Sequence, residues 1–192
     1  MSSPLLSEAE LNDLGLSFDS DVKVHRSVEI FGGEHISIGR GTRIDCFAVI
    51  TAGPHEVSIG EGVHLGIGCS LLGTAGITIG DFTSLSPRVS VFSTSDDFTG
   101  PHLAGPTVPP SYRQVHGEEV EIGPLAVIGA GSVVLPGSRV GRGASVGALS
   151  LVKSSIEPGA VAAGIPARTI GTRDLTELEE LERRLRLERG RP

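Results

Sequence analysis

The feature that most constrains this chain is a period of six. Ile122, Ile128, Val134, Val140, Val146 and Val152 follow one another at that interval without a break. Four positions after each stand Ala126, Ser132, Ser138, Ala144, Ser150 and Ile156, all small except the last. One position after each stand Gly123, Gly129, Leu135, Gly141, Gly147 and Lys153. The same phrase runs earlier as Ile38-Gly39, Ile44-Asp45, Ile59-Gly60, Leu65-Gly66, Leu71, Ile79-Gly80, Leu85 and Val91, with longer steps from Ile50 to Ile59 and from Leu71 to Ile79. Six is neither the helical period nor the two-residue period of a strand. It suits a chain that runs a short strand, turns a corner and repeats. Three such sides close a coil of about 18 residues, with the extra residues falling between coils. The aliphatic side chain fills the interior, the small residue four places on also points inward, and the glycines permit the backbone angles of the corners. About six or seven coils, stacked as parallel strands, make a prism on the order of 30 Å long.

Composition agrees with a narrow interior. The 192 residues include 27 glycines, with no Trp, one Tyr and only 4% aromatics. A hydrophobic share of 39% excludes a disordered chain, and there is no G-X-Y period to suggest collagen. The longest apolar stretches are a few residues long, so no membrane span is expected. The first residues lack a basic region and an apolar core, so a soluble cytoplasmic protein is expected. A formal net charge of −7 argues against a nucleic-acid partner. Cys46 and Cys69 make neither a disulfide framework nor a zinc set and are read as free thiols.

The period fails once, from Phe92 to Glu121, in a stretch that holds Asp96, Asp97, the single Tyr and four of the prolines. A long irregular loop in a compact domain is usually functional. Two helices flank the repeat. Ser7-Glu-Ala-Glu carries a capping box, and the segment closes on Gly15. From Asp174 to about Leu187, the residues Leu175, Leu178, Leu181 and Leu185 form an apolar stripe, with Glu179, Glu180, Glu182, Arg183, Arg184 and Arg186 expected on the solvated face. Both helices could cap an otherwise open sheet edge. The chain therefore reads as one domain over 1–192: a helical segment at 1–20, a parallel β-helix at 21–170 with its loop at 92–121, and a C-terminal helix at 171–192.

The repeat resembles the hexapeptide-repeat acyltransferases, which implies a left-handed coil. The segment Val152-Lys153-Ser154-Ser155 followed by Ala163-Gly164-Ile165-Pro166-Ala167-Arg168 is similar to that family's coenzyme A end. The resemblance implies an all-β, left-handed parallel β-helix that binds acetyl-CoA as co-substrate. Ser132, Gly147, Ala148, Lys153, Pro166 and Arg168 are its candidate contacts: glycine-rich backbone for the pantetheine arm, cations for the phosphates. A narrower resemblance joins Asp81-Phe82, Leu85-Ser86, Arg88-Val89-Ser90, Ser95 to Gly100, Pro106 to Pro109 and Val146 to Val152 to a branch of sugar acetyltransferases. It implies a sugar or sugar-nucleotide acceptor and a homotrimer with active sites between chains.

The wider family carries a catalytic His near the start of the loop, where this chain has Asp96. His64, in Gly-Val-His-Leu-Gly, is the alternative general base, because an imidazole titrates near neutrality. Both fall five residues after an aliphatic marker, which places them at corners, on different corners of one prism. They could meet across a groove between subunits, Asp96 then orienting the imidazole. Asp97, Arg88 and Ser86 are candidate acceptor contacts; His102 and His116 are secondary ones. Attack on the thioester needs no covalent intermediate. A serine- or xenobiotic-type O-acetyltransferase, a metal enzyme like the carbonic anhydrases of this fold, and a non-catalytic scaffold are the competing readings. No metal is expected, since the histidines lack a spacing that stacks them at one corner.

Overall fold

The computed structural model describes residues 3–190; positions 1, 2, 191 and 192 of the two terminal segments lie outside the described residues. The chain winds into a three-sided prism. Six coils are complete and a seventh is partial. The first coil runs through Ser17–Phe18, Lys23–Val24 and Glu29–Phe31, and the sixth through Arg139–Val140, Ser145–Val146 and Leu151–Val152. Each side of a coil pairs in parallel with the same side of the next, which gives three long faces of six, eight and six strands. On the eight-stranded second face, His64 pairs with Arg43 below it and Ser84 above it. The first strand already joins its face at Ser17, and the last regular strand, Ala167–Thr172, folds back antiparallel on Ala160–Gly164.

The six-residue markers form the core. Ile44, Leu65, Leu85, Ile128 and Val146 stack on the second face, and Ile50, Leu71, Val91, Val134 and Val152 on the third, all buried. The small residues four places on are buried too, and their hydroxyls are employed. Thr42 Oγ1 donates to the Gly60 carbonyl, Thr83 Oγ1 to Gly123 and Ser132 Oγ to Gly147, each on the following coil. Among the described residues no buried side-chain polar atom lacks a partner. Two of the inserted segments, after Ile50 and after Leu71, lie at the third corner, where one coil passes to the next.

The corner glycines work differently from the sequence reading. The left-handed backbone position falls three residues after the inward marker at the first and second corners, and Asp21, Phe47, Phe82, Arg88, Leu125 and Leu149 occupy it as well as glycine. The repeated glycine one residue after the marker has ordinary φ. It is needed because the next coil lies directly on it: a Cβ on Gly129 would stand 2.4 Å from the Ala148 nitrogen, and one on Gly141 2.4 Å from the Pro158 nitrogen. Close approach, not backbone rotation, is what those positions require.

Both helices form. The first, α1, is Glu8–Asp13, with Ser7 and Glu10 closing the capping box, and it buries Leu11 in the core. The second, α2, is Leu175–Glu188, capped by Asp174. It does not close the prism's end; it runs back along the first corner. Leu175 packs beside Gly143 and Gly159, while Arg186 reaches Asp81 and Glu61 on earlier coils. The expected solvated face is therefore partly inward. Glu182 is buried between Arg142 and Arg186, whereas Leu181 of the apolar stripe is exposed. Lying against a polar corner, α2 docks through charge.

The Gly129→Ala variant should lose about 1–3 kcal/mol from the backbone clash. The Gly41→Ala variant, left-handed at φ +67° but facing open space, should lose about 1 kcal/mol. Thermal unfolding of the two variants checks this, and the reverse order would contradict the close-approach account.

Candidate active site

The candidate site gathers at the second corner. It follows the second face, and its residues stack coil upon coil: Asp45, Gly66, Ser86, Gly129 and Gly147 in one column, then Cys46, Ile67, Pro87, Ala130 and Ala148 beside it. His64 is not itself in the corner. It opens the strand His64–Leu65 and projects outward from the second face, with its side chain 45% exposed. Position five after a marker is the start of the next side, and sequence reading had placed it one step early.

A carboxylate is already beside the imidazole. His64 Nε2 lies 2.9 Å from Asp45 Oδ2, and Arg43 Nε donates to Asp45 Oδ1 at 2.7 Å. Partial burial works against the Asp45 charge, but the hydrogen bonds from His64 and Arg43 outweigh it and hold the carboxyl below its ordinary value. The ionised carboxylate only accepts, so the hydrogen sits on Nε2 and the neutral ring keeps its lone pair on Nδ1. Among the described residues Nδ1 has no partner. This is the arrangement of an oriented general base. Asp45 was missed in the sequence, although a signal was there: it precedes His64 by 19 residues, about one coil.

Asp96 stands elsewhere. It ends the strand Thr94–Asp96, which pairs with Val115–Gly117 to form an arm leaving the third corner. Its Oδ2 accepts the Gly105 N–H at 3.1 Å, so it holds the loop's shape. His64 thus has its orienting carboxylate within its own chain. Asp97, next to it, faces His102, and exposed His116 lies on the returning strand. Ser86 is half-buried, one coil above Gly66, and among the described residues its hydroxyl makes no hydrogen bond. Arg88 is exposed and has no ion pair among the described residues.

An open groove of about 560 Å³ runs along this corner between Ile67, Pro87, Arg88, Ala130, Ala148 and Leu149. Among the described residues the backbone N–H groups of Ile67, Ala130 and Ala148 meet no acceptor. Pro87, between the first two, has no N–H, so Ala130 and Ala148 are the pair at the strand spacing, which suits an extended, amide-bearing ligand, while Ile67 could serve an oxyanion at its reacting end. Among the proposed coenzyme A contacts, Gly147 and Ala148 line this corner, with Pro166 and Arg168 in the hairpin that closes the second face. Lys153 is on the third corner, in a second groove of about 510 Å³ with Leu135, Pro136 and the base of the arm. Ser132 is a correction: it is fully buried, with its hydroxyl spent on Gly147 and Ser150, and offers a ligand nothing. Among the described residues no group of three or more His, Cys, Asp or Glu is placed to hold a metal ion, and no helix is long and apolar enough to cross a membrane.

The dTDP-4-amino-4,6-dideoxy-D-glucose acyltransferase of Escherichia coli is 37% identical to this chain over 179 residues, which cover 92% of this chain and 93% of that one. The chain belongs to the sugar branch of the hexapeptide-repeat acyltransferases. AntD, an N-acyltransferase from Bacillus cereus solved with dTDP and 3-hydroxybutyryl-CoA, superposes with a TM-score of 0.89 at 32% identity, covering 98% of this chain and 100% of that one. AntD has also been solved with a serine replaced or an aspartate replaced, and with dTDP-4-amino-4,6-dideoxyglucose and coenzyme A together. The hexapeptide-repeat acetyltransferase VCA0836 from Vibrio cholerae, solved with acetyl coenzyme A, shares the fold at 18% identity and a TM-score of 0.57 over 86% of this chain and 76% of that one. No family model matches the chain. The fold is the left-handed parallel β-helix, and the protein is an acyltransferase that uses a coenzyme A thioester and a sugar acceptor.

His64→Ala should lower kcat by about 10²–10⁴-fold with the fold intact, and Asp45→Asn should lower it by less. Because the Asp45 carboxyl is depressed, its charge and its hold on the ring are lost only as pH falls below the ordinary carboxylate range. The kcat/KM profile should therefore show no Asp45 limb between pH 5 and pH 9. Steady-state kinetics across that range check all three outcomes.

Proposed function

We propose that the protein transfers an acetyl group from acetyl-CoA to the amino group of a dTDP-linked 4-amino-4,6-dideoxy sugar, working in the cytoplasm as a homotrimer. The observation that carries this is the near-full-length similarity to an acyltransferase for that sugar nucleotide. A serine and an aspartate were the residues replaced in AntD, and this chain offers Ser86 as a candidate acceptor contact and Asp96 as a catalytic candidate. A longer acyl group is the second reading, because AntD was solved with 3-hydroxybutyryl-CoA.

In this reading the thioester lies along the second corner, its amides on the N–H groups of Ala130 and Ala148, with Gly129 and Gly147 as a floor without side chains. The acceptor nitrogen attacks the thioester carbonyl near His64 and Ser86. Nδ1 of His64 takes a proton as the C–N bond forms, the C–S bond breaks, and the released thiolate is protonated. Arg88 meets a phosphate or sugar oxygen, and Lys153 and Arg168 meet the phosphates of coenzyme A. Both corners are open grooves, and Lys153 is separated from Gly147 by the whole width of the third face. Three copies around an axis parallel to the prism would bring one copy's third corner against the next copy's second, uniting the two sets.

Purified protein should acetylate dTDP-4-amino-4,6-dideoxyglucose and leave L-serine untouched. Comparing acetyl-CoA with 3-hydroxybutyryl-CoA by kcat/KM selects the donor. Lys153→Ala and Arg168→Ala should each raise the KM for acyl-CoA several-fold and leave the acceptor KM alone, since each exposed contact is worth about 1 kcal/mol or less. A fully active monomer by light scattering would contradict the trimer.

A further inference from the structure

The site above uses one Asp–His pair, and the chain builds a second. In the arm, the Asp97 side chain is only 8% exposed. Its Oδ1 accepts the N–H groups of Thr99 and Gly100 at 3.2 and 2.7 Å, and its Oδ2 lies 2.7 Å from His102 Nδ1. The hydrogen bond from His102, then that from Gly100, hold this carboxyl below its ordinary range. The hydrogen therefore sits on Nδ1, and the neutral ring keeps its lone pair on Nε2, which has no partner among the described residues. The ring is mounted on an ordered loop: Asp96 ties Gly105, and the Leu103 N–H donates to the Tyr112 carbonyl. Asp97, Asp96, Tyr112 and Arg113 are the titratable and charged groups that flank it. Among the described residues no hydrogen bond of residues 96–114 reaches the prism, and residues 98–104 are mostly exposed.

Amine acylation has two protons to remove. An amine on a carbon flanked by electron-withdrawing groups resembles an α-amino group, with a pKa of about 7.7–8.0, and so arrives largely as the ammonium ion. It must lose one proton to become a nucleophile and a second after the C–N bond forms. One of the two ends on the coenzyme A sulfur as the C–S bond breaks, and the other leaves to solvent. Nδ1 of His64 accounts for a single proton. We infer that the Asp97–His102 pair is the other acceptor: Nε2 of His102 takes the first proton from the acceptor's ammonium group in the His64 groove of a neighbouring copy, and releases it to water. The part-exposed ring at the edge of the site is suited to that release. The inference rests on the amino-sugar reading of this same site.

The test is the pH dependence of His102→Gln with dTDP-4-amino-4,6-dideoxyglucose and acetyl-CoA. At pH 6.5 its kcat/KM for the amino sugar should fall about 10²-fold. At pH 9.5, where the acceptor is already neutral, the deficit should shrink to a few-fold, with the KM for acetyl-CoA unchanged throughout. Asp97→Asn should show the same pH trend with a smaller loss, and an unchanged melting temperature of His102→Gln verifies its fold. A deficit that is equal at both pH values, or no deficit, overturns the inference while leaving the acceptor assignment intact. Failure of the wild-type enzyme to acylate the amine at any pH overturns the amino-sugar reading, and this inference with it.

Discussion

Everything in this molecule depends on one coil lying directly on the next. Strands of a parallel face sit about 4.8 Å apart, and a corner keeps that spacing only if its outermost backbone carries nothing that collides with the corner above. Gly39, Gly60, Gly80, Gly123 and Gly141 on the first corner, with Gly66, Gly129 and Gly147 on the second, satisfy this condition. Once the corners nest, like side chains stack on like, the interior hydroxyls find carbonyls one coil away, and the core becomes a set of columns.

The columnar logic also produces the site. Residues about one coil apart in sequence are neighbours in space, so Arg43, Asp45 and His64 converge although 19 residues separate Asp45 from His64. The second face then offers an oriented imidazole at His64, and the corner beside it offers the Ser86 hydroxyl and, on the two following coils, the N–H groups of Ala130 and Ala148. That layout matches a thioester whose reacting end lies at one coil and whose arm extends over the following ones. The glycines that let the coils nest also leave the floor of that groove bare.

Much of this was legible in the sequence because the repeat is a direct image of the geometry. The markers, the small inward residues, the arm and both helices could be read off spacing and capping residues. What escaped was interaction between columns. The role of Gly129 and Gly141 depends on the coil above, which a single phrase of the repeat does not contain. Asp45 looked like one more corner residue until its column was aligned with His64. Ser132 belonged to the inward set by its own spacing, yet its place near the coenzyme A motif suggested a contact. Helix α2 defied its pattern because the corner it meets is polar, so Glu182 and Arg186 turned inward and Leu181 was left outside.

The path of α2 has a thermodynamic consequence. A solenoid is nearly one-dimensional: each coil contacts only its neighbours, so an end can fray while the middle stays wound. Helix α2 breaks that locality. It joins Gly143 and Gly159 near one end, through Arg142 and Glu182, to Asp81 and Glu61, two and three coils before Gly143. Opening the last coils then also means detaching charges from the middle of the prism, and opening the middle frees the helix from both. The helix acts as a splint that turns a stack of separable rungs into a longer cooperative unit, and the coils it spans include those that carry Ser86, Ala130 and Ala148.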